Sequence, residues 1–137
     1  MLQQYEREIT YAFRILSALS DGALHKGADI YANNACPESW GYKIAKKLEI
    51  AGYIKIKRGR YGGYILVTPL EEITLKDLVI AIEPSAAFIP FLKKTCPTHP
   101  DKSQCPAYKE LAKMEEEMWA IFEKRSLEDI RCLEDLH

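Results

Sequence analysis

Apolar residues recur at helical spacing at Tyr5, Ile9, Ala12, Phe13, Leu16 and Leu19, predicting an amphipathic helix that stops near Asp21-Gly22. A short helix is expected from about Gly27 to Asn33, with Ile30 and Tyr31 inward. Asn33-Asn34-Ala35-Cys36-Pro37 reads as a turn, and Pro37 suits the first position of the next helix. That helix is predicted from about Pro37 to Ala51, with Ile44, Leu48 and Ala51 as its buried side and Trp40 reinforcing it. After Gly52 the period changes to alternation. Ile54 and Ile56 point one way, and Tyr53, Lys55 and Lys57 the other. Arg58-Gly59-Arg60-Tyr61-Gly62-Gly63 is a glycine-rich turn, Tyr64-Ile65-Leu66-Val67 a return strand, and Pro69 its end.

Helix, helix, helix, hairpin is the order of a winged helix-turn-helix. Thr74-Leu75-Lys76-Asp77 has capping-box form and opens a further helix to about Glu83. From Pro84 to Pro106 the chain carries five of its seven prolines and two of its four cysteines, a long connection of the kind that is either functional or mobile. A long helix follows from about Ala107 to Lys124, with Leu111, Met114, Met118, Ile121 and Phe122 at three-and-four spacing. Ser126-Leu127-Glu128-Asp129 is a second capping box, beginning a short terminal helix. The expected fold is mainly α with a small β-hairpin. It divides into a winged helix-turn-helix domain (1–83), a Pro/Cys-containing loop (84–106), and a long helix with a terminal helix (107–137), which on periodicity alone could cover its own core or pair with a second copy.

Composition narrows the class. A hydrophobic fraction of 47% and a charged fraction of 28% are those of a globular chain, and no apolar run approaches the roughly 20 residues of a membrane helix. The amino terminus has no basic segment followed by an apolar run, so a cytoplasmic protein is expected, without a membrane partner. In that compartment four cysteines point to metal, cluster or redox chemistry sooner than to disulfides. The net charge of −1 averages two unlike parts. From Glu38 to Tyr64 there are seven Lys/Arg against two Glu, a balance of +5. From Glu110 to His137 nine acidic residues face four basic ones, a balance of −5. A basic reading surface joined to an acidic tail has this form, although charge also varies between ordinary solvated faces.

In a helix-turn-helix the second helix enters the major groove with its first turns against base edges. Here those turns carry Glu38, Ser39, Trp40, Tyr42 and Lys43. Ser39, Tyr42 and Lys43 can bond bases or phosphates, and Glu38 can accept from a cytosine amino group. Lys46 and Lys47 lie where phosphates are the expected partners. An ordinary surface helix would carry the same residues, so the hairpin decides. Arg58, Arg60 and Tyr61 occupy a tip too narrow to bury anything, and arginines at such a tip suit the negative potential of a minor groove. Double-stranded DNA is therefore the expected partner. The alternative is a protein-interaction module using the acidic carboxy-terminal helix. An enzyme is not expected: no nucleophile–base pair or HExxH-type site stands out, and Gly59–Gly63 lacks the Lys-Ser/Thr ending of a P-loop.

Tyr11-Ala12-Phe13-Arg14, the turn before Pro37, Lys57-Arg58-Gly59-Arg60-Tyr61-Gly62-Gly63-Tyr64, Glu72-Ile73-Thr74-Leu75-Lys76-Asp77-Leu78 and Ser126-Leu127-Glu128-Asp129-Ile130 are similar to the matching segments of one known group. Together they resemble the iron–sulfur cluster regulator family, the IscR-like and NsrR-like winged-helix repressors. The resemblance spans nearly the whole chain, and the Arg-Gly-x-x-Gly-Gly-Tyr wing is its most specific element. It implies a homodimeric transcription regulator, a repressor, on a palindromic operator, with the long helix crossing its counterpart. Ser39 would then serve the major groove and Arg58 the wing contact. Tyr42 falls where some relatives place a glutamate that tunes sequence preference.

The resemblance also implies an iron–sulfur cluster held by three cysteines in the loop before the dimer helix. Cys105 matches the last of them, His99 falls near the middle position, and Cys96 serves as the first with altered spacing. Imidazole can replace thiolate on a [2Fe–2S] centre. A fourth ligand comes from the partner's first helix in this family. The matching residue here is Thr10, a poor ligand, with Glu8 as a substitute. Cys96 and Cys105 have two further readings, as a reversible thiol switch or as remnants in a cofactor-less regulator. Cys36 and Cys132 are expected to be small packing residues, and His25 and His137 surface residues.

Overall fold

In the computed structural model, which describes residues 5–89, 92, 101 and 104–134 (the last three by backbone only), the helical period of the amino-terminal segment becomes α1, Glu6–Ala18. Ala12, Ile15 and Leu16 lie on its buried stripe, and Leu19 continues it just beyond the last turn. Two short helices follow, α2 (Gly27–Asn33) and α3 (Glu38–Ile50). An antiparallel hairpin of β1 (Ile54–Lys57) and β2 (Gly63–Leu66) comes next, in the register Ile54↔Leu66 to Lys57↔Gly63. A 3₁₀ turn at Leu70–Glu72 leads into α4 (Leu75–Ile82), and α5 (Pro106–Glu123) and α6 (Leu127–Glu134) complete the order.

One core joins these elements. Ile15, Leu16 and Leu19 meet Ile30, Ile44, Leu48, Ile54, Leu78 and Ile82, and Leu127 of α6 is buried in the same cluster. Each such side chain contributes about 1.5–3 kcal/mol by leaving water. The capping boxes expected at Thr74 and Ser126 are both made. Thr74 Oγ1 accepts from the Asp77 N–H while Asp77 accepts from the Thr74 N–H. Ser126 and Asp129 do the same at 3.2 and 3.1 Å. The two caps are neighbours: the Leu127 N–H donates to the Ile73 carbonyl at 2.8 Å. Two end-stops, each stabilising by about 1 kcal/mol, thus also seat α6 on the amino-terminal core.

The structure corrects three details of the sequence reading. Ala51 is exposed, because α3 ends at Ile50 and Ala51 lies past its last turn; Gly41 and Ala45 take the buried places beside Ile44 and Leu48. Trp40 remains exposed on the flank of α3 instead of entering the core. Tyr53 precedes β1 and is partly buried against the core, since alternation begins only at Ile54.

Candidate nucleic-acid interface

The stripe that α3 buries determines what it can show to a partner. With Gly41, Ile44, Ala45 and Leu48 inward, the opposite side carries Ser39, Tyr42 and Lys43, all exposed, with Lys46 half-exposed behind them. Glu38 stands exposed in the first turn. Lys47 lies on the flank, where its ammonium meets Glu8 of α1 at 3.2 Å. On the same flank the Arg7 guanidinium carbon lies 6.0 Å from the centre of the Trp40 ring, a cation–π distance. Arg7 joins the edge of this surface only because α1 and α3 pack together. It is separated from Trp40 by 32 intervening residues, and no local sequence signal could have placed it there.

The hairpin forms the wing. Gly59 adopts φ +102°, which an L side chain rarely does. At Gly63 an added Cβ would stand 2.3 Å from the His25 carbonyl oxygen. That contact is close because β2 also pairs with the segment before α2: the His25 N–H donates to Tyr64 O at 2.9 Å, and the Tyr64 N–H donates to His25 O at 2.7 Å. At the tip Arg58, Arg60 and Tyr61 are exposed, Tyr61 at 82%, with the Arg60 guanidinium carbon 5.6 Å from the Tyr61 ring centre.

A carboxylate joins helix to wing. Glu49 accepts the Ile56 N–H at 2.8 Å and pairs with Lys46 at 3.5 Å. The Ile56 hydrogen bond chiefly, with Lys46 and Arg58 adding their positive charge, holds this carboxyl below its usual range. Lys46, Arg58 and the start of the wing therefore share one neighbourhood, and the basic side of α3 continues into the hairpin. A depressed carboxylate contributes stability above its unfolded pKa and loses it as pH falls through the folded value. Protection of the Ile56 amide from exchange, relative to its intrinsic rate at each pH, should stay high at neutral pH and fall only at a pH below the ordinary glutamate range. Glu49→Gln should abolish that acid step; an Ile56 amide that opens instead near pH 7 would contradict the clasp.

The cysteines separate by environment. Cys36 is buried in the turn before α3 with burial pushing its thiol up, as a packing residue requires. Cys105 is buried at the amino-terminal end of α5, as its N-cap residue. Cys96, His99, His137 and the Cys132 side chain lie outside the described residues. Among the described residues no group of three His, Cys, Asp or Glu side chains is arranged to hold a metal ion. Glu8 is engaged by Lys47. His25 lies at the surface, as expected, but is engaged: its Nε2 lies 2.9 Å from Asp21, and its backbone pairs with the wing.

The long helix has two contrasting sides. Phe88, from the segment after α4, packs tilted against Trp119 and edge-on to Phe122 with ring centroids 4.7 and 5.1 Å away. Glu115 fastens that segment, accepting the Phe88 and Ile89 N–H groups at 2.8 and 2.9 Å and the Trp119 indole N–H at 2.9 Å. The adjoining side leaves Met114, Met118 and Ile121 exposed, and no described residue of α5 is buried. Among the described residues no helix is long and apolar enough to cross a membrane.

Three helices followed by a hairpin, with the third helix clasped to a basic wing, define a winged helix-turn-helix regulator of transcription. The particular group follows from a match over residues 5–132: the chain belongs to the Rrf2 family, described as iron-dependent transcriptional regulators. Proteins of this family bind DNA and are not enzymes. A comparison with curated proteins gives no match. Among solved structures the chain is similar to Staphylococcus aureus CymR, at 22% identity over 88% of this chain and 92% of that one, with a TM-score of 0.61. It is similar to CymR (YrzC), the global cysteine regulator of B. subtilis, at 21% identity, 91% and 90% coverage and a TM-score of 0.65. IscR of T. potens matches at 19% identity, 96% and 84% coverage and a TM-score of 0.65. At these identities the likeness is one of fold.

Proposed function

We propose that the chain is a homodimeric repressor that reads a palindromic operator in double-stranded DNA, with each subunit supplying one reading head. The observation that carries this is the continuity of the basic side of α3 with the wing through Glu49, Lys46 and Ile56. In this reading Glu38, Ser39, Trp40, Tyr42 and Lys43 face the major groove, Lys46 and Lys47 approach phosphates at its edge, and Arg58, Arg60 and Tyr61 enter the adjacent minor groove. The ion pairs of Lys46 and Lys47 with Glu49 and Glu8 are solvent-exposed enough to exchange for phosphate at little cost. Residues 1–83 form the reading head, 84–106 the sensor loop and 107–137 the dimerisation and terminal helices. The test is a gel-shift titration against promoter DNA across salt: affinity falls steeply as salt rises, and flat, negligible binding refutes the reading.

The same proposal assigns the signal to Cys96, His99 and Cys105. An iron–sulfur cluster would supply a redox-active centre at the start of α5. Of the three donors only Cys105 is described, so the described residues do not by themselves make a cluster site, and a thiol switch at Cys96 and Cys105 remains the second form of the proposal. Solved relatives include S. aureus CymR in an oxidized form. In either form a change in the loop would pass to the reading heads as a population shift, by way of Cys105 at the head of α5 and of Glu115, which fastens the segment after α4 to that helix. Anaerobic purification with iron and sulfide analysis and an absorption spectrum separates the two. Iron, sulfide and visible absorption that vanish in Cys105→Ser support a cluster; a colourless, iron-free protein from iron-replete cells leaves the thiol switch or a cofactor-less regulator.

A further inference from the structure

Two buried phenols lie behind the reading surface, where neither can reach DNA. Tyr31 on α2 and Tyr64 on β2 are 4% and 6% exposed, and their hydroxyls share a hydrogen bond. Their rings are tilted at 57° with centroids 6.0 Å apart. A glycine backs each ring. A Cβ at Gly41 of α3 would lie 2.3 Å from Tyr31 Cε1, and one at Gly27 would lie 3.0 Å from the Tyr64 hydroxyl. Tyr31 thus presses against the third helix with its ring edge and holds the second wing strand with its tip. Burial pushes both phenols above their usual pKa, Tyr31 the further, so the pair stays neutral under physiological conditions.

We propose that the Tyr31–Tyr64 pair sets the angle between the recognition helix and the wing, making the two tyrosines positioning residues for operator reading. This rests on the DNA-binding function proposed above and names what aligns its two contact elements. A hydrogen bond between rigid rings suits the role. It fixes direction as well as distance, whereas apolar packing in its place would tolerate small rotations. The His25–Tyr64 backbone pair fixes β2 to the segment before α2, and the Glu49–Ile56 bond ties β1 to α3. The phenol pair adds a separate link on the other strand, reaching β2 through the ring that α3 packs against.

The test uses Tyr31→Phe, Tyr64→Phe and the double variant in the full chain. Each single variant leaves one hydroxyl buried without its partner and lowers the melting temperature; the double variant, with no orphan, recovers most of the loss. If the pair positions the wing, exchange at the His25 and Tyr64 amides is about tenfold faster in the double variant while α1 core amides are unchanged. Its preference for operator over non-specific duplex also falls about tenfold, the worth of roughly one well-aligned base contact, at an unaltered salt slope. Recovery of exchange protection and specificity together with stability would overturn the proposal, as would a reduced salt slope, which would mean that the tyrosines touch phosphate. Should the unsubstituted protein show no salt-dependent duplex binding, the regulator reading and the recognition half of this inference fall together. The exchange result then decides by itself whether the pair holds the wing.

Discussion

Replacing Arg58 and Arg60 together with alanine removes high-affinity duplex binding and leaves the fold intact. Both side chains are exposed at the wing tip, and substitutions at such positions change stability by about 0.5 kcal/mol or less. The glycines that shape the turn are untouched. Binding should lose about 2–4 kcal/mol, taking about 1–2 kcal/mol, the lower part of the range for a groove contact, for each arginine. That is roughly 30- to 1000-fold in affinity. The slope of log affinity against log salt should shrink by about 0.9 for each phosphate neutralised. Circular dichroism and the melting temperature serve as controls. An Arg58→Ala/Arg60→Ala protein that binds operator with the original affinity and slope would remove the wing from the interface. If a protein partner were instead held through the acidic carboxy-terminal helix, that binding would survive the same change.

The second large effect is expected on α5. Eighteen helical residues extend about 27 Å, and Met114, Met118 and Ile121 line the side left open beside the Phe88–Trp119–Phe122 cluster. A second copy of the helix, crossing at this stripe, would cover it. Met118→Glu then places two carboxylates near the symmetry axis, where each residue meets its own counterpart. An unpaired charge in a desolvated interface costs about 3–5 kcal/mol, enough to make the protein monomeric at micromolar concentration. Analytical ultracentrifugation reads the mass, and binding to a full palindrome should fall toward that for a half-site because the second head is no longer tethered. In a chain that is monomeric to begin with, Met118 is merely a surface residue and glutamate there changes nothing. An unchanged sedimentation profile would thus rule out the α5 interface.

Much of the architecture could be read from neighbouring residues. The limits of α2, the Gly59–Gly62 turn of the wing, and the capping boxes at Thr74 and Ser126 all depend on contacts within four residues or fewer, and they fold as their local chemistry indicates. The exposure of the proposed contact residues was legible to a similar degree. Once the core stripe of α3 is known, Ser39, Tyr42 and Lys43 have no face left but the solvent one.

Chain-distant packing settled the remainder. Trp40 has the composition of a core residue, yet α1 already fills the space beside α3 and leaves it outside, against Arg7. Ala51 fits the helical period, but the helix ends one residue earlier. Lys46 and Lys47 look equivalent in the sequence, and only the approach of Ile56 and of Glu8 gives them different neighbours. The meeting of Tyr31 with Tyr64 across 33 residues has no periodic or motif signature. Periodicity and turn chemistry are short-range and repeat along the chain. Which polar groups become partners depends on how the elements close over a shared core, a long-range outcome written in no single segment.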